Sequence, residues 1–100
     1  MESMRDRMMR GELYMASDPE LQAAQAWAQG LLEHFNRTAH NEQPERDRIL
    51  RELLGELGEG TIIKPAFRCD YGAPIRIGAN TFINYDCVML DVAPITIGSY

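Results

Sequence analysis

One hundred residues, 45% hydrophobic and 25% charged, give the composition of an ordinary soluble protein with one modest core. The net charge of −5, the pI near 4.9 and the absence of any basic block speak against a nucleic-acid surface. No apolar run reaches transmembrane length, and MESMRDRMMR lacks the apolar centre of a signal peptide, so the expected location is cytoplasmic, away from any membrane.

Residues 2–10 read as a short helix with Met4, Met8 and Met9 on its apolar side, and Gly11 suits its end. Asp18 followed by Pro19 supplies an N-cap carboxylate and a proline at the first helical position. The spacing predicts a second helix from there to about residue 38. Leu21, Ala24, Ala28, Leu31 and Phe35 share one face of it, which Trp27 and Leu32 broaden. His34 and His40 fall near its end, where a histidine ordinarily faces solvent or favours the helix dipole. A turn over residues 41–44 leads to a third helix, expected over residues 44–57. Ile49, Leu50, Leu53, Leu54 and Leu57 form its buried stripe, and Glu45, Arg46, Asp47, Arg48, Arg51 and Glu52 its wet face.

From Thr61 the pattern changes. Residues 61–63 and 66–69 read as short strands around Pro65, and Asp70-Tyr71-Gly72 as a turn. Aliphatic side chains then recur every six residues, at Ile77, Ile83, Met89 and Ile95, with small ones at Thr81, Cys87 and Ala93. Six is the period of a left-handed parallel β-helix, in which three short strands make one triangular coil. Gly78 and Asn80 beside a corner tolerate its turn geometry. Pro74-Ile75-Arg76-Ile77-Gly78 returns as Pro94-Ile95-Thr96-Ile97-Gly98 twenty residues later, which is one coil of eighteen plus an extra pair. The unbroken phase through Met89 places that pair between Asp91 and Pro94. Cys69 and Cys87, eighteen residues apart, are expected as free thiols able to stack in adjacent coils. The fold class is α+β: a helical head over residues 1–60 and the first coils of a left-handed β-helix over residues 61–100.

Gly11-Glu12-Leu13-Tyr14, Ser17-Asp18-Pro19-Glu20-Leu21, Phe67-Arg68-Cys69-Asp70-Tyr71-Gly72 and Asn84-Tyr85-Asp86-Cys87-Val88-Met89-Leu90-Asp91 resemble the maltose O-acetyltransferase group. That group stands with the galactoside and nodulation acetyltransferases of the hexapeptide-repeat superfamily. The resemblance implies acetyl transfer from acetyl-CoA, as cosubstrate and without a metal, to a sugar hydroxyl. It also implies homotrimers with active sites between neighbouring β-helices. By the same resemblance Asn84 holds the acceptor and the developing oxyanion, and Asp70, Asp91, Asp18 and Tyr14 border the acceptor. Carboxylate and amide groups suit a sugar's ring of donors and acceptors, and attack on a thioester needs an oxyanion partner. Three of these have a structural alternative: Asn84 as a corner residue, Asp70 as a cap of its turn, Asp18 as an N-cap.

The group's general base is a histidine in a Thr-x-x-His-Pro segment, one coil further along. Residues 61–100 contain no histidine, and no residue is assigned to the coenzyme. The hundred residues alone are therefore expected to be inactive, as the acceptor-side, amino-terminal part of a sugar O-acetyltransferase. The alternative is a non-enzymatic, truncated β-helix chain that serves as a protein-interaction module. A β-helix carbonic anhydrase would need metal-binding histidines on its coils, and residues 61–100 offer none.

Overall fold

The structure, a computed structural model, describes residues 3–100. Helix α1 (Met4–Met9) starts at Ser3, whose hydroxyl accepts from the Asp6 N–H at 3.1 Å. Residue 2 of the predicted helix lies outside the described residues. Helix α2 (Pro19–Asn36) starts at Asp18, whose Oδ2 accepts from the N–H groups of Glu20 and Leu21 at 3.0 and 3.3 Å. It buries Leu21, Ala28, Leu32 and Phe35. Trp27, expected to broaden that face, is 47% exposed. One residue is about 100° of helix rotation, and the buried stripe through Ala28 is too narrow to include it.

Helix α3 (Gln43–Leu53) ends before the expected position, and Leu54 is already extended, with ψ 153. The chain passes too close to its neighbour to stay helical. The Gly55 N–H donates to the Ile75 carbonyl at 2.9 Å, and a Cβ on Gly55 would lie 2.2 Å from the Ala73 oxygen. Leu57 is buried as expected, but from strand β1 (Glu56–Leu57) and not from a helix. The first strand therefore belongs to the stretch read as helical head.

Six more strands follow: β2 (Ile62–Ile63), β3 (Phe67–Cys69), β4 (Ile75–Ile77), β5 (Phe82–Ile83), β6 (Cys87–Met89) and β7 (Ile95–Ile97). Every pairing is parallel, in sheets ordered β1-β4-β7, β2-β5 and β3-β6. This is a three-faced left-handed β-helix. Strands β1, β2 and β3 make the first coil, β4, β5 and β6 the second, and β7 opens a third.

Leu57 lies under Ile77 and Ile77 under Ile97, Ile63 under Ile83, and Cys69 under Met89. Each step is twenty residues. The inward positions thus run Leu57, Ile63, Cys69, Ile77, with spacings of six, six and eight. The extra pair placed between Asp91 and Pro94 has a counterpart at residues 71–74, so both coils carry it at the same corner. The twenty-residue coil also corrects the cysteine expectation. Cys87 stacks on Phe67 and Cys69 lies under Met89, so the two free thiols do not stack on each other.

A threonine ladder ties another corner together. Thr61 Oγ1 donates to the Gly78 carbonyl and accepts from the Thr81 N–H, and Thr81 Oγ1 donates to the Gly98 carbonyl at 2.9 Å. The neighbouring Gly60 and Asn80 both adopt positive φ, 77° and 54°.

Helix α2 covers the edge of β3 that no strand pairs. Asn36 makes a two-way bond with Phe67: its Nδ2 donates to the carbonyl at 3.0 Å and its Oδ1 accepts from the N–H at 2.8 Å. Gln29 Nε2, two turns earlier, donates to the carbonyls of Cys69 and Asp70 at 2.9 and 3.3 Å. These amides stand where a lower strand would, satisfying groups that would otherwise be buried unpaired. Beneath them Ala28, Leu32, Phe35, Ile49, Leu50 and Leu53 join Ile63, Phe67, Ile75 and Ile77 in one core. Phe35 meets Phe67 edge-to-face at 6.4 Å. A smaller cluster of Met8, Leu21 and Tyr71 seats α1 and the start of α2.

Candidate active site at the corners of the coils

Asp91 follows β6 by two residues and is 0% exposed. Its carboxylate reaches down to the corner of the coil below. Oδ1 accepts from the Asp70 and Tyr71 N–H groups at 2.7 and 3.0 Å, and Oδ2 from the Gly72 N–H at 2.6 Å. Three successive N–H groups converge on one anion because the turn ends at Gly72 with φ 85. A side chain there would also strike Leu53, at 2.5 Å from its Cδ1. Asp91 was expected to border the acceptor directly. Its carboxylate is instead buried and committed to backbone, so it holds the turn that carries Asp70.

That turn is clasped from both sides, by Asp91 above and by Gln29 below. The half-buried Asp70 carboxylate, by contrast, has no hydrogen-bond partner among the described residues. Burial, and secondarily the Asp91 charge, push its carboxyl above the usual carboxylate range. A carboxyl raised in the folded state adds stability only below its unfolded pKa, and that contribution is lost as pH rises through the folded value. Asp70→Asn is therefore expected to raise the thermal midpoint at pH 7, with the gain shrinking to nothing below about pH 4. Melting curves of both chains across pH check this. A gain independent of pH would mean that a new hydrogen bond, and not charge relief, stabilises the variant.

Tyr71 is buried beside this turn. Burial, then Tyr14, Asp70 and Asp91, push its phenol up, against the opposing pull of Arg5. Tyr14 and Arg5 of the head thus lie within electrostatic reach of the same corner. Tyr14 also lines a cavity of about 250 Å³ with Met4, Arg7, Leu13 and Met15. Asp18 sits one turn before Leu21, which packs with Tyr71 and Met8. The sequence offered no signal for Arg5 as a neighbour of Tyr71, since only the docking of the head brings it there.

Asn84 lies at a different corner, between β5 and β6, and is exposed. Its Oδ1 accepts from the Tyr85 N–H at 2.8 Å, which leaves the amide Nδ2 without a partner among the described residues. Within one chain Asn84 and Asp70 stand at opposite ends of the β3/β6 face, with the strand between them. One chain does not bring them together.

The remaining nucleophile candidate is weak. Burial, with added repulsion from Asp91 and Asp70, pushes the Cys69 thiol up to about 12, so it stays protonated at neutral pH. His34 is exposed, its Nε2 lying 3.5 Å from Glu45 Oε1. Arg46, read as part of the wet face of α3, is 3% exposed.

A helical head seated under the first coils of a left-handed β-helix, with polar corners stacked in register, is the architecture of the hexapeptide-repeat class. Residues 7–58 match the family described as the maltose acetyltransferase hexapeptide capping motif, and the chain belongs to that family. Nodulation protein L of Rhizobium meliloti is 46% identical over 94 residues, which are 94% of this chain and 51% of that relative. A maltose O-acetyltransferase from Clostridium difficile superposes with a TM-score of 0.96 at 38% identity, over 98% of this chain and 52% of that one. A hexapeptide-repeat acetyltransferase of Vibrio cholerae, complexed with acetyl coenzyme A, gives a TM-score of 0.86 at 40% identity over 97% of this chain and 52% of its own. The chain spans about half the length of the relatives it matches. No helix among the described residues is long and apolar enough to cross a membrane.

Proposed function

We propose that this chain forms the acceptor-binding, amino-terminal part of an acetyl-CoA-dependent sugar O-acetyltransferase. In the reaction, the sugar hydroxyl oxygen attacks the thioester carbonyl, its proton passes to a general base, and the coenzyme leaves as a thiol. The base is assigned to a histidine of the Thr-x-x-His-Pro type, which these hundred residues do not contain. The chain's own contribution is to hold the acceptor. The observation that carries this reading is the doubly clasped turn, which presents an unpaired Asp70 carboxylate beside Tyr71 and Tyr14 under the family's capping head. Asp18 borders the same region. Asp91 acts through the turn, as a positioning residue.

Asn84 is the second half of the proposed site, its free amide N–H directed to the acceptor and the oxyanion. Because it stands at the far corner from Asp70, a site that uses both needs a second copy of the chain. The exposed Phe82, Val88, Leu90 and Val92 on and around β6 suit such a subunit contact, and we assign a homotrimer.

The test is to express the protein from its own gene, record its intact mass and assay thiol release from acetyl-CoA with maltose, glucose and galactosides. A product heavier than 11.4 kDa that releases thiol only when a sugar is present supports the proposal. A product that releases none with any of these acceptors overturns it, and leaves the interaction-module reading.

A further inference from the structure

Helix α3 was expected to turn Arg46 to water. Instead the guanidinium is 3% exposed, and its hydrogen bonds are all to neutral groups. Nη1 donates to the Ala39 carbonyl at 2.7 Å and to Thr38 Oγ1 at 3.2 Å, and Nη2 to the His40 carbonyl at 3.1 Å and Gln43 Oε1 at 3.2 Å. The fifth donor, Nε, is buried with no partner. Arg46 forms no ion pair among the described residues. Glu42, the carboxylate of the same turn, is engaged by the Ala39 N–H at 2.6 Å.

A buried guanidinium without an anion is costly, and this one lines a cavity of about 200 Å³. The other walls are Thr38, His40, Lys64, Pro65 and Tyr85. Lys64 brings a second positive charge, and His40 and Tyr85 bring further polar groups. No carboxylate lines the cavity, although the chain as a whole carries a net charge of −5. The walls come from three separate places: the turn after α2, the first turn of α3, and two stacked corners of the coils, Lys64 and Pro65 below and Tyr85 above. Folding therefore assembles this positive pocket, which makes it more than a run of basic residues.

We propose that the pocket binds a phosphoryl dianion, either free or as the ester of a small molecule. The charges of Arg46 and Lys64 match two negative charges, and the Lys64 ammonium and the Tyr85 hydroxyl supply donors for its oxygens. The volume suits a phosphoryl group and leaves one open side. This assignment is independent of the acetyl-transfer reading.

Titration calorimetry and thermal melting with inorganic phosphate test it, against chloride at equal ionic strength. Phosphate is expected to raise the melting midpoint saturably, and Lys64→Gln to weaken its binding at least tenfold. Lys64 is only half-buried, so that variant keeps the fold even where Arg46→Met does not. A hexose phosphate run in parallel separates the sources: tighter binding than inorganic phosphate identifies an ester subsite, and equal binding a free-ion site. A midpoint that follows ionic strength alone, or phosphate binding unchanged by Lys64→Gln, overturns the proposal and leaves the Arg46 guanidinium to its neutral protein acceptors.

Discussion

Asp91→Ala is expected to cost at least about 3 kcal/mol of folding stability, measured by chemical denaturation at neutral pH. The carboxylate is fully buried and receives three backbone N–H groups from one turn. Hydrogen bonds to a charged acceptor contribute about 1.5–3 kcal/mol each, and removing the acceptor strands its buried donors. The sum is not additive, but it is large beside a total stability of about 5–15 kcal/mol for a typical domain. Asp91→Asn gives a useful comparison. It keeps the shape and one acceptor oxygen, yet turns an NH₂ group toward at least one N–H donor, so most of the loss should remain. A loss below about 1 kcal/mol in Asp91→Ala would mean that Gln29 and the packing of Gly72 hold the turn without it.

If the proposed acetyl transfer holds, Asn84→Ala is expected to show the opposite balance: turnover down by about 10²-fold and the unfolding midpoint nearly unchanged. Asn84 is exposed, and its recorded hydrogen bond is local, to the next residue's N–H. Little stability therefore depends on it. An oxyanion donor, in contrast, acts where charge develops, and losing one typically costs 10²–10³ in rate. Thiol release and thermal melting of the same preparation measure the two quantities together. Turnover within about threefold of the parent would return Asn84 to the role of a corner residue.

The hexads announced the β-helix because a period of six has one common structural reading, and Ile77, Ile83 and Met89 hold it without a break. The Pro-Ile-x-Ile-Gly return placed the extra pair at the correct corner. The first coil was harder to read. Leu53, Leu54 and Leu57 fit a helical stripe as well as they fit a strand, and only the approach of Gly55 to Ala73 decides between them. That ambiguity hid β1, and with it the extra pair at residues 71–74 that keeps Cys69 and Cys87 from stacking. At the site, Asp18 and Gly72 were legible from local turn chemistry. Asp91 was not, because its partners lie about twenty residues away, and its burial follows from the stacking of coils. Arg46 was misplaced for a related reason: its spacing puts it off the leucine stripe, but the turn over residues 38–43 folds back across it.

The two amides on α2 give the solenoid a direction of growth. Asn36 and Gln29 complete the free edge of β3, and both precede it in the chain. As the polypeptide emerges from its amino terminus, the surface on which the first coil must condense has already been made. Each finished coil then templates the one twenty residues later, as a seed crystal templates the next layer. The head thereby leaves the β3 stack open on one side only, so strand-to-strand joining of two chains through the covered edge of β3 is blocked.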